Sequence, residues 1–417
     1  MRGKGEGSIY KRKDGMWCAT VELPAHGGTR RRKVITSKDK GVVIAKLTKL
    51  KGELERHGDL PTASQTVEQW FTYWLESLAV KEVRPKTIAG YRSVVNGHII
   101  PAIGTVRLDK LTAAHIRRVE DRITSTPKSK DDPSKGFLSS TYALNAHRIM
   151  AASLAVAVME GRMTRNPAKQ SKPPKRAVST LEALSLEEGI KVLDMVTQDP
   201  VLGARWATAL LTGARRGEVL GLERDRVSDD SLDLSWQLQR LVWDHGCSGG
   251  CGRKRGTDCP ERRLTIPADY ECRHLTGGLY LTRPKSNAGW RVVPLVEPLR
   301  SFLQMQIEGT PPNKYGLVWA PGGKPIDPDE DSRAWQRVLE STGIDKNIRL
   351  HDLRHTAVDL MVMAGVPDQI IKEIVGHATV TMTQAYRSKA KRNRPALTEA
   401  MEKFSALFSA GGSELQA

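Results

Sequence analysis

Alternating apolar and polar positions at the start of the chain predict a small sheet. The stretch Ser8–Leu23 is interrupted by Asp14-Gly15, a pair typical of a tight hairpin turn, and a further strand-like run covers Thr29–Thr36. Apolar residues at helical spacing follow within Asp39–His57. This part of the chain is therefore predicted to form a three-stranded sheet with one helix.

A helical pattern replaces the alternating one after residue 66. Thr66 and Gln69 form a capping box at the start of a run of apolar residues at helical spacing: Val67, Trp70, Phe71, Trp74, Leu75 and Leu78. Three further helices are predicted, from Pro85 to before Pro101, from Thr112, and over Ser139–Gly161. The pattern predicts an all-α bundle with these aromatic residues in its core.

The rest of the chain is predicted to be a larger, mainly helical domain. The run Arg165–Arg176 contains three prolines and five basic residues, which is typical of an extended linker. Ser185 and Glu188 then form another capping box. Strand-like runs at Leu232–Trp243 and Leu279–Leu295 predict a small antiparallel sheet, with a turn around Lys285 in the second run.

These elements define a multidomain α+β protein. The predicted segments are an amino-terminal sheet-and-helix domain (1–60), an all-α bundle (66–165), a basic linker (166–180), a mainly α domain with a small antiparallel sheet (181–395) that holds a cysteine-rich insertion (245–274), and a carboxy-terminal helix or tail (396–417).

The charge balance points to a polyanionic partner. Lys and Arg number 65 against 47 Asp and Glu, a net charge of +18, and residues 1–65 alone hold 15 basic against 7 acidic residues. Four of them, Arg30, Arg31, Arg32 and Lys33, lie on one predicted strand. We expect this strand to contact nucleic acid; the alternative is a solvated basic edge that deters aggregation.

Composition argues against a membrane or secreted protein. The longest nearly apolar run, Ile149–Met159, is about half of the ~20 residues that a spanning helix needs. The first residues, MRGKGEGS, lack the apolar stretch of a signal peptide. Five cysteines in 417 residues do not make a disulfide framework, so a reducing cytoplasm is expected.

Five short motifs occur in order within the mainly helical domain. They are T-G-x-R-x-x-E at Thr212–Glu218, a lysine at Lys285 in the predicted hairpin, H-x-x-R at His351–Arg354, G-H at Gly376-His377, and a tyrosine at Tyr386. In this order they resemble the tyrosine recombinase (phage integrase) family. The bundle is similar to the core-binding domain of that family, and the amino-terminal sheet to the arm-type DNA-binding domain of larger phage integrases.

The resemblance implies a site-specific recombinase that cuts and rejoins DNA through a 3′-phosphotyrosyl intermediate. Arg215 and Arg354 would neutralise charge on the phosphate, since guanidinium groups bind phosphate oxygens bidentately and stay protonated near neutral pH. Tyr386 would be the nucleophile, and its covalent bond to the 3′ phosphate would conserve the energy of the broken strand. No ATP, metal ion or other cofactor is then required for catalysis.

The resemblance also assigns the remaining roles. Lys285 would protonate the departing 5′ oxygen, His351 would act as the acid or base near the tyrosine, and His377 would donate to a phosphoryl oxygen. Glu218 would orient neighbouring side chains.

The same resemblance implies a cellular setting and partners. The implied biology is integration and excision of a phage or other mobile element in the nucleoid of a bacterial cytoplasm. Implied partners are double-stranded attachment-site DNA, a homotetramer assembled on that DNA, a host DNA-bending protein and an excision factor. The predicted tail helix, with Met401 and Phe404 on its apolar face, would dock on a neighbouring protomer; the alternative is docking on its own chain.

Two other functions fit parts of the pattern. A DNA-binding regulator on the same scaffold would have lost catalysis, whereas all six catalytic positions are occupied here. A topoisomerase of similar chemistry would relax supercoils without exchanging strands. A chromosome-dimer resolvase usually lacks the amino-terminal domain.

The insertion holds four of the five cysteines. Cys247, Cys251, Cys259 and Cys272 follow the pattern C-x3-C-x7-C-x12-C, and His245 and His274 flank them. Four thiolates can bind a tetrahedral structural Zn²⁺, although the C-x2-C pairs typical of zinc knuckles are missing. The alternatives are reduced thiols packed in a compact loop, or a redox-labile disulfide. A zinc ion here would brace the strands that lead to Lys285 and would not take part in catalysis.

Overall fold

A computed structural model of the chain describes residues 8–26, 29–57, 65–178, 182–199, 203–247, 250–267, 269–284, 290–376, 398–399 and 401–407. The chain divides into two units by contacts between residues. The first comprises Met1–Val83 and Thr87–Val178, and the second Arg84–Lys86 and Ser179–Ala417.

The amino-terminal sheet forms as its alternating pattern predicts. Its antiparallel strands are β1 (Ser8–Lys11), β2 (Trp17–His26) and β3 (Thr29–Ser37), in the order β1-β2-β3, and α1 spans Lys40–His57. Val43 and Leu47 of α1 are buried against the small core of the sheet. Alternation places one face of each strand on this core and leaves the other face in water.

The helical bundle follows the predicted periodicity with shorter segments. Its elements are α2 (Val67–Tyr73), a π-helical turn (Trp74–Ala79), α3 (Val80–Glu82), α4 (Pro85–Val94), a second π-helical turn (Val95–Ile99), α5 (Ile100–Ile103), a 3₁₀ turn (Leu108–Lys110), α6 (Ala113–Thr124), a 3₁₀ turn (Pro133–Lys135) and α7 (Ser140–Met159). Thr66 caps α2 as predicted, and Ser139 caps α7. The helix predicted to end before Pro101 instead continues through it. Pro101 is the second residue of α5, directly after the second π-helical turn.

The core of the bundle contains satisfied polar groups as well as apolar side chains. Trp70 Nε1 donates to Ser153 Oγ at 2.9 Å, and His147 Nδ1 lies 2.7 Å from Glu120 Oε1. Both His147 and Ser153 lie on α7, which is also the one helix among the described residues that is long and apolar enough to cross a membrane by length and composition. Its buried polar partners and apolar face are those of a core helix.

The second unit combines helices with short strands. Its elements are α8 (Leu186–Thr197), α9 (Ala204–Thr212), α10 (Arg216–Leu220), a 3₁₀ turn (Arg224–Arg226), β4 (Val227–Ser228), β5 (Ser231–Asp233), β6 (Gln237–Arg240), a 3₁₀ turn (Gly256–Asp258), β7 (Cys272–Thr276), β8 (Leu279–Thr282), β9 (Val292–Pro294), α11 (Leu299–Glu308), a 3₁₀ turn (Pro321–Gly323), α12 (Pro328–Thr342), α13 (Leu353–Met363) and α14 (Asp368–Val375). Ser185 caps α8 through the predicted box with Glu188.

Helix α9 is the centre of this unit. All nine of its residues are buried, and it contacts α8, α10, α11 and α13. The charge that it buries is paired: Arg205 Nε donates to Asp331 Oδ1 of α12 at 2.7 Å, and Trp206 Nε1 donates to the same oxygen at 3.1 Å. Removing either charge would leave the other uncompensated in the core.

The strands form two three-stranded antiparallel sheets, and this corrects the predicted hairpin. The orders are β4-β5-β9 and β6-β8-β7, so the strands on either side of Lys285, β8 and β9, do not pair with each other. Strand β7, supplied by the end of the insertion, pairs with one edge of β8 while β6 pairs with the other. Because both edges of β8 are occupied, β9 pairs with β5 instead.

The tail helix is described over residues 398–399 and 401–407. Met401 and Phe404 are buried in the core of the second unit of the same chain. Leu407 packs against that core, whereas Leu397 and Phe408 lie outside the described residues.

Replacing Leu303 by Ala should lower the free energy of unfolding of the second unit by about 2–5 kcal/mol, because Leu303 is fully buried in its core. Met305 lies on the same helix, α11, with 62% of its surface exposed, and Met305→Ala should change that free energy by less than about 0.5 kcal/mol. Guanidinium denaturation followed by tryptophan fluorescence measures both. Equal losses would contradict the packing of α11 described here.

Candidate active site

The carboxyl end of α14 gathers three arginines. Gly376 ends this helix in the left-handed conformation, and the last carbonyl groups of a helix have no partner within it. Three successive carbonyls accept from three different elements: Ile374 O from Arg291 Nε at 2.6 Å, Val375 O from Arg354 Nη1, and Gly376 O from Arg215 Nη2 at 3.1 Å. The negative end of the helix dipole favours these cations.

Glu218 joins two of these arginines. Its side chain is fully buried, with Oε1 2.6 Å from Arg215 Nη1 and Oε2 2.9 Å from Arg291 Nη2. Oε2 also accepts from the backbone N–H of Arg215 at 2.9 Å. Burial by itself would raise the pKa of Glu218, but Arg291 and Arg215 outweigh burial and hold the pKa below its ordinary value. The carboxylate is therefore ionised and fixes the position of Arg215.

Gly213 explains why the first motif begins with T-G. It ends α9 with φ at +61°, and its carbonyl accepts from Arg354 Nη1 at 2.9 Å. A Cβ at this position would lie 2.9 Å from Val375 Cγ1. Glycine therefore satisfies both the left-handed backbone and the close approach of α14. This contact brings the segment that carries Arg215 to the end of α14.

Arg354 is more buried than Arg215, the other arginine predicted to bind the phosphate. It lies on α13 with only 3% of its surface exposed. Burial, with Arg215 and Arg291 nearby, lowers the pKa of Arg354 to about 9, and Glu218 opposes the shift. Its Nη2, like Nη1 of Arg291, has no hydrogen-bond partner among the described residues. The site therefore holds more donors and more positive charge than its own acceptors satisfy.

His351 precedes Arg354 by three positions, in the turn before α13, and it is exposed. Partial burial and the positive charges of Arg354, His355 and Arg215 lower the pKa of its imidazole, against an opposing effect of Asp352. The neutral form, which can accept a proton, is thereby favoured at neutral pH.

Two neighbours of the motif residues have other contacts. Arg216 Nη1 donates to Pro328 O at 2.7 Å and to Ser332 Oγ, both on α12. The guanidinium of Arg216 therefore contacts α12, and Arg215 is the arginine of the motif that contacts the end of α14. The ring centroid of His355 lies 6.0 Å from that of His351.

Three of the predicted catalytic residues, Lys285, His377 and Tyr386, lie outside the described residues. Lys285 follows the end of β8 by three positions, and His377 follows Gly376 directly. The structure therefore brings together Arg215, Glu218, His351 and Arg354, and the catalytic roles of all seven residues stay predictions.

Arg291 is the residue of this site that the sequence analysis missed. It is 2% exposed and links Glu218 to Ile374. The available signal was a single charge within the apolar run that leads into β9 (Trp290–Leu295), since a charge inside an apolar strand needs a buried partner.

The predicted amino-terminal DNA contacts are described in part. Arg32 and Lys33 are exposed on β3, and Arg32 Nε lies 3.7 Å from Glu22 Oε1 on β2. The side chains of Arg30 and Arg31 lie outside the described residues.

The four cysteines of the insertion do not all come together. Ligand atoms of His245, Cys247, Cys251 and Cys259 lie within 4.8 Å of one another, and Cys272 is not in this group. Cys272 belongs to β7, where it pairs with Thr282 of β8. The predicted set of four thiols is therefore corrected: strand pairing holds Cys272, and an imidazole stands with the other three.

Comparison with known proteins agrees with the motif pattern. Residues 269–393 match the phage integrase family, and residues 66–122 match the phage integrase N-terminal SAM-like domain. An integrase of Saccharopolyspora erythraea is 31% identical over 415 residues, which cover 92% of this chain and 92% of the relative. The chain belongs to the phage integrase family. The integrase is a tyrosine recombinase with the multidomain α+β fold predicted from its sequence.

Solved structures share the fold of the integrase at low identity. The Tn1549 transposon integrase in complex with a circular intermediate DNA has a TM-score of 0.58 at 18% identity, over 80% of this chain and 100% of that chain. Lambda integrase as a dimer bound to a core site has a TM-score of 0.52 at 16% identity, over 93% and 96%. As a tetramer bound to a Holliday junction it has a TM-score of 0.51 at 16% identity, over 89% and 96%.

Glu218→Gln should slow strand cleavage by the integrase roughly 100-fold while leaving DNA affinity nearly unchanged, because Arg215 loses the charge that positions it. Single-turnover cleavage of a nicked duplex, with binding measured in parallel, tests this. The matched control is Glu223→Gln, since Glu223 is also buried between two arginines, Arg226 and Arg273. An equal loss of cleavage in both variants would assign Glu218 a purely structural role.

The acid limb of the cleavage rate should lie below the ordinary histidine pKa of about 6.5, because the lowered pKa keeps His351 neutral to lower pH. Protonation as the pH falls through that lowered value removes the base and also destabilises the folded state. Cleavage rates of single turnovers over about pH 5–8 measure the limb. His351→Asn should remove it; an unchanged limb in that variant would exclude His351 as its source.

Proposed function

We propose that this integrase cuts and rejoins attachment-site DNA at a phosphate held by Arg215 and Arg354, with Tyr386 as the nucleophile. The observation that carries the proposal is the concentration of three guanidinium groups at the carboxyl end of α14, two of them paired with Glu218, with Nη2 of Arg354 unpaired within the described part of the chain. Such a site favours an anion with several acceptor oxygens, and a phosphodiester is one.

The proposed cleavage step balances without a cofactor. The phenol oxygen of Tyr386 attacks the phosphorus atom and loses its proton to His351, while the bond from phosphorus to the 5′ oxygen breaks. Lys285 gives a proton to that 5′ oxygen. The product is a 3′-phosphotyrosyl bond and a free 5′ hydroxyl. Attack by the 5′ hydroxyl of another strand reverses the step and joins the two strands.

The arginines act on charge rather than on bonds. Charge grows on the non-bridging oxygens as the tyrosine attacks, and donors already in place stabilise it without reorganising. Backbone carbonyls hold both Arg215 and Arg354, and Glu218 also holds Arg215. The positions of these arginines therefore do not depend on the substrate. His377 would add a donor to the same phosphate.

We assign the domains and partners accordingly. Residues 1–60 would bind arm-type DNA through the strand that carries Arg30–Lys33, residues 66–165 would bind the core site, and residues 181–395 would cleave it. Strand exchange requires the cleavage of four strands, and a homotetramer on DNA supplies one active site for each. A host DNA-bending protein and an excision factor would set the direction of integration or excision of the mobile element within the bacterial cytoplasm.

Wild-type integrase should form a covalent protein–DNA adduct with a nicked duplex built from the DNA that flanks its own gene, and Tyr386→Phe should form none while binding that DNA. The physical reason is that phenylalanine has no oxygen to bond to phosphorus. A denaturing gel detects the adduct, and a gel shift measures binding.

Arg354→Lys is the matched test of the phosphate site. A lysine cannot make the bidentate contact, so cleavage should fall by about 100-fold or more with an intact tyrosine. A Tyr386→Phe variant that still forms the adduct would overturn the assignment of the nucleophile. Binding without any wild-type adduct would favour a catalytically silent regulator, and relaxation of supercoils without recombinant products would favour a topoisomerase.

A further inference from the structure

The insertion between β6 and β7 contains a compact group of potential metal ligands. His245 Nδ1 lies 3.3 Å from Cys251 Sγ and 4.0 Å from Cys247 Sγ, and the ligand atoms of these three residues and Cys259 all lie within 4.8 Å of one another. A zinc ion with bonds of about 2.3 Å to sulfur and 2.0–2.1 Å to nitrogen places neighbouring ligands roughly 3.5–3.8 Å apart. The separations here bracket that spacing.

The backbone around these sulfurs donates hydrogen bonds to them. N–H groups of Gly246 and Glu261 point to Cys259, and that of Arg253 points to Cys251. Backbone donors of this kind are typical of the outer contacts that hold metal ligands in place. Cys259 is 2% exposed, so its sulfur faces the group and not the solvent.

The chain is folded tightly enough to hold the ligands in place. Asp244 and Arg263 exchange two backbone hydrogen bonds, of 2.8 and 3.0 Å, which close the loop that contains all four ligands. A Cβ at Gly246 would lie 2.0 Å from Glu261 O, so only glycine allows the two arms of the loop to approach here. The loop has few apolar residues of its own, and a small loop of this kind commonly depends on a metal or a disulfide.

We propose that His245, Cys247, Cys251 and Cys259 bind one structural Zn²⁺ ion in the insertion of this integrase. Three thiolates and one imidazole complete a tetrahedral set and leave no open position, so the ion has no role in strand cleavage. Cys272 is excluded, because it is held on β7 in a pair with Thr282.

The ion would order a basic loop and the sheet beside it. Arg253, Lys254 and Arg255 are exposed between the second and third cysteine ligands. The loop leaves the sheet after β6 and returns to it at β7, and these two strands flank β8. A zinc ion there would fix the ends of the loop and thereby the sheet that leads to Lys285.

The test is the metal content and ligand field of the full-length protein. Protein purified from zinc-supplemented cells under reducing conditions should contain about one zinc ion per chain. Replacement by Co²⁺ should give the visible absorption of a tetrahedral ion together with thiolate charge-transfer bands. Removing the metal with a chelator should speed tryptic cleavage at Arg253–Arg255 about tenfold, and adding Zn²⁺ back should restore protection.

Single substitutions distinguish the ligand sets. His245→Asn and Cys251→Ser should each lower the zinc content at least about tenfold, whereas Cys272→Ser and Cys18→Ser should leave it unchanged. The Co²⁺ spectrum of the wild type does not depend on whether a variant folds. Wild-type protein without zinc and without a thiolate–cobalt spectrum would overturn the proposal. So would zinc loss in Cys272→Ser but not in His245→Asn, or a disulfide among these cysteines in protein purified under those conditions.

Discussion

Three arginines at one helix terminus, two of them buried, are the constraint on which the catalytic unit depends. Taking a guanidinium group out of water is costly unless its donors find acceptors. The carbonyls of Ile374, Val375 and Gly376 are such acceptors, and they would be unsatisfied without the arginines. The carbonyls thus supply acceptors to the arginines, and the arginines supply donors to the carbonyls. Four other segments therefore meet at the carboxyl end of α14. They are the end of α9, the start of α10, the segment before β9 and the first turn of α13.

The same arrangement leaves a surplus of positive charge. Glu218 offsets one of the three guanidinium charges, and the backbone carbonyls offset none of the net charge. Burial lowers the pKa of Arg354, and repulsion from Arg215 and Arg291 lowers it further, while donors of Arg354 and Arg291 remain unpaired among the described residues. A bound anion relieves the repulsion and supplies acceptors to those donors. Before DNA binds, the fold therefore already holds in place positive charges and donors that would stabilise the proposed reaction.

Local signals were predictable from sequence, and pairings between distant segments were not. The capping boxes at Thr66 and Ser185 depend on residues three positions apart, so their helices begin where predicted. The partner of β9 depends on whether the insertion supplies a strand to β8. The hydrophobic periodicity of the sequence does not indicate which strands pair. His245 joins the cysteine group through the closure of a loop, and its spacing from Cys259 has no helical or strand period. Arg291 was missed for the same reason, because its partners lie 73 and 83 positions away.

The arginines of the site and the residues proposed to react with DNA lie in different segments of the sequence. Arg215, Arg291 and Arg354 each bond to a backbone carbonyl at the end of α14, whereas Lys285 and Tyr386 follow Thr282 and Gly376 in the sequence. The part of the chain that leads to Tyr386 follows directly on Gly376, whose carbonyl holds Arg215, so displacing the carboxyl end of α14 would disturb the proposed phosphate ligands as well. In the proposed mechanism, binding of the phosphate and attack by Tyr386 are therefore linked through one helix terminus. A mutation that loosens this terminus, such as a side chain at Gly213, would weaken both, whereas a change confined to the tyrosine ring would affect the chemistry alone.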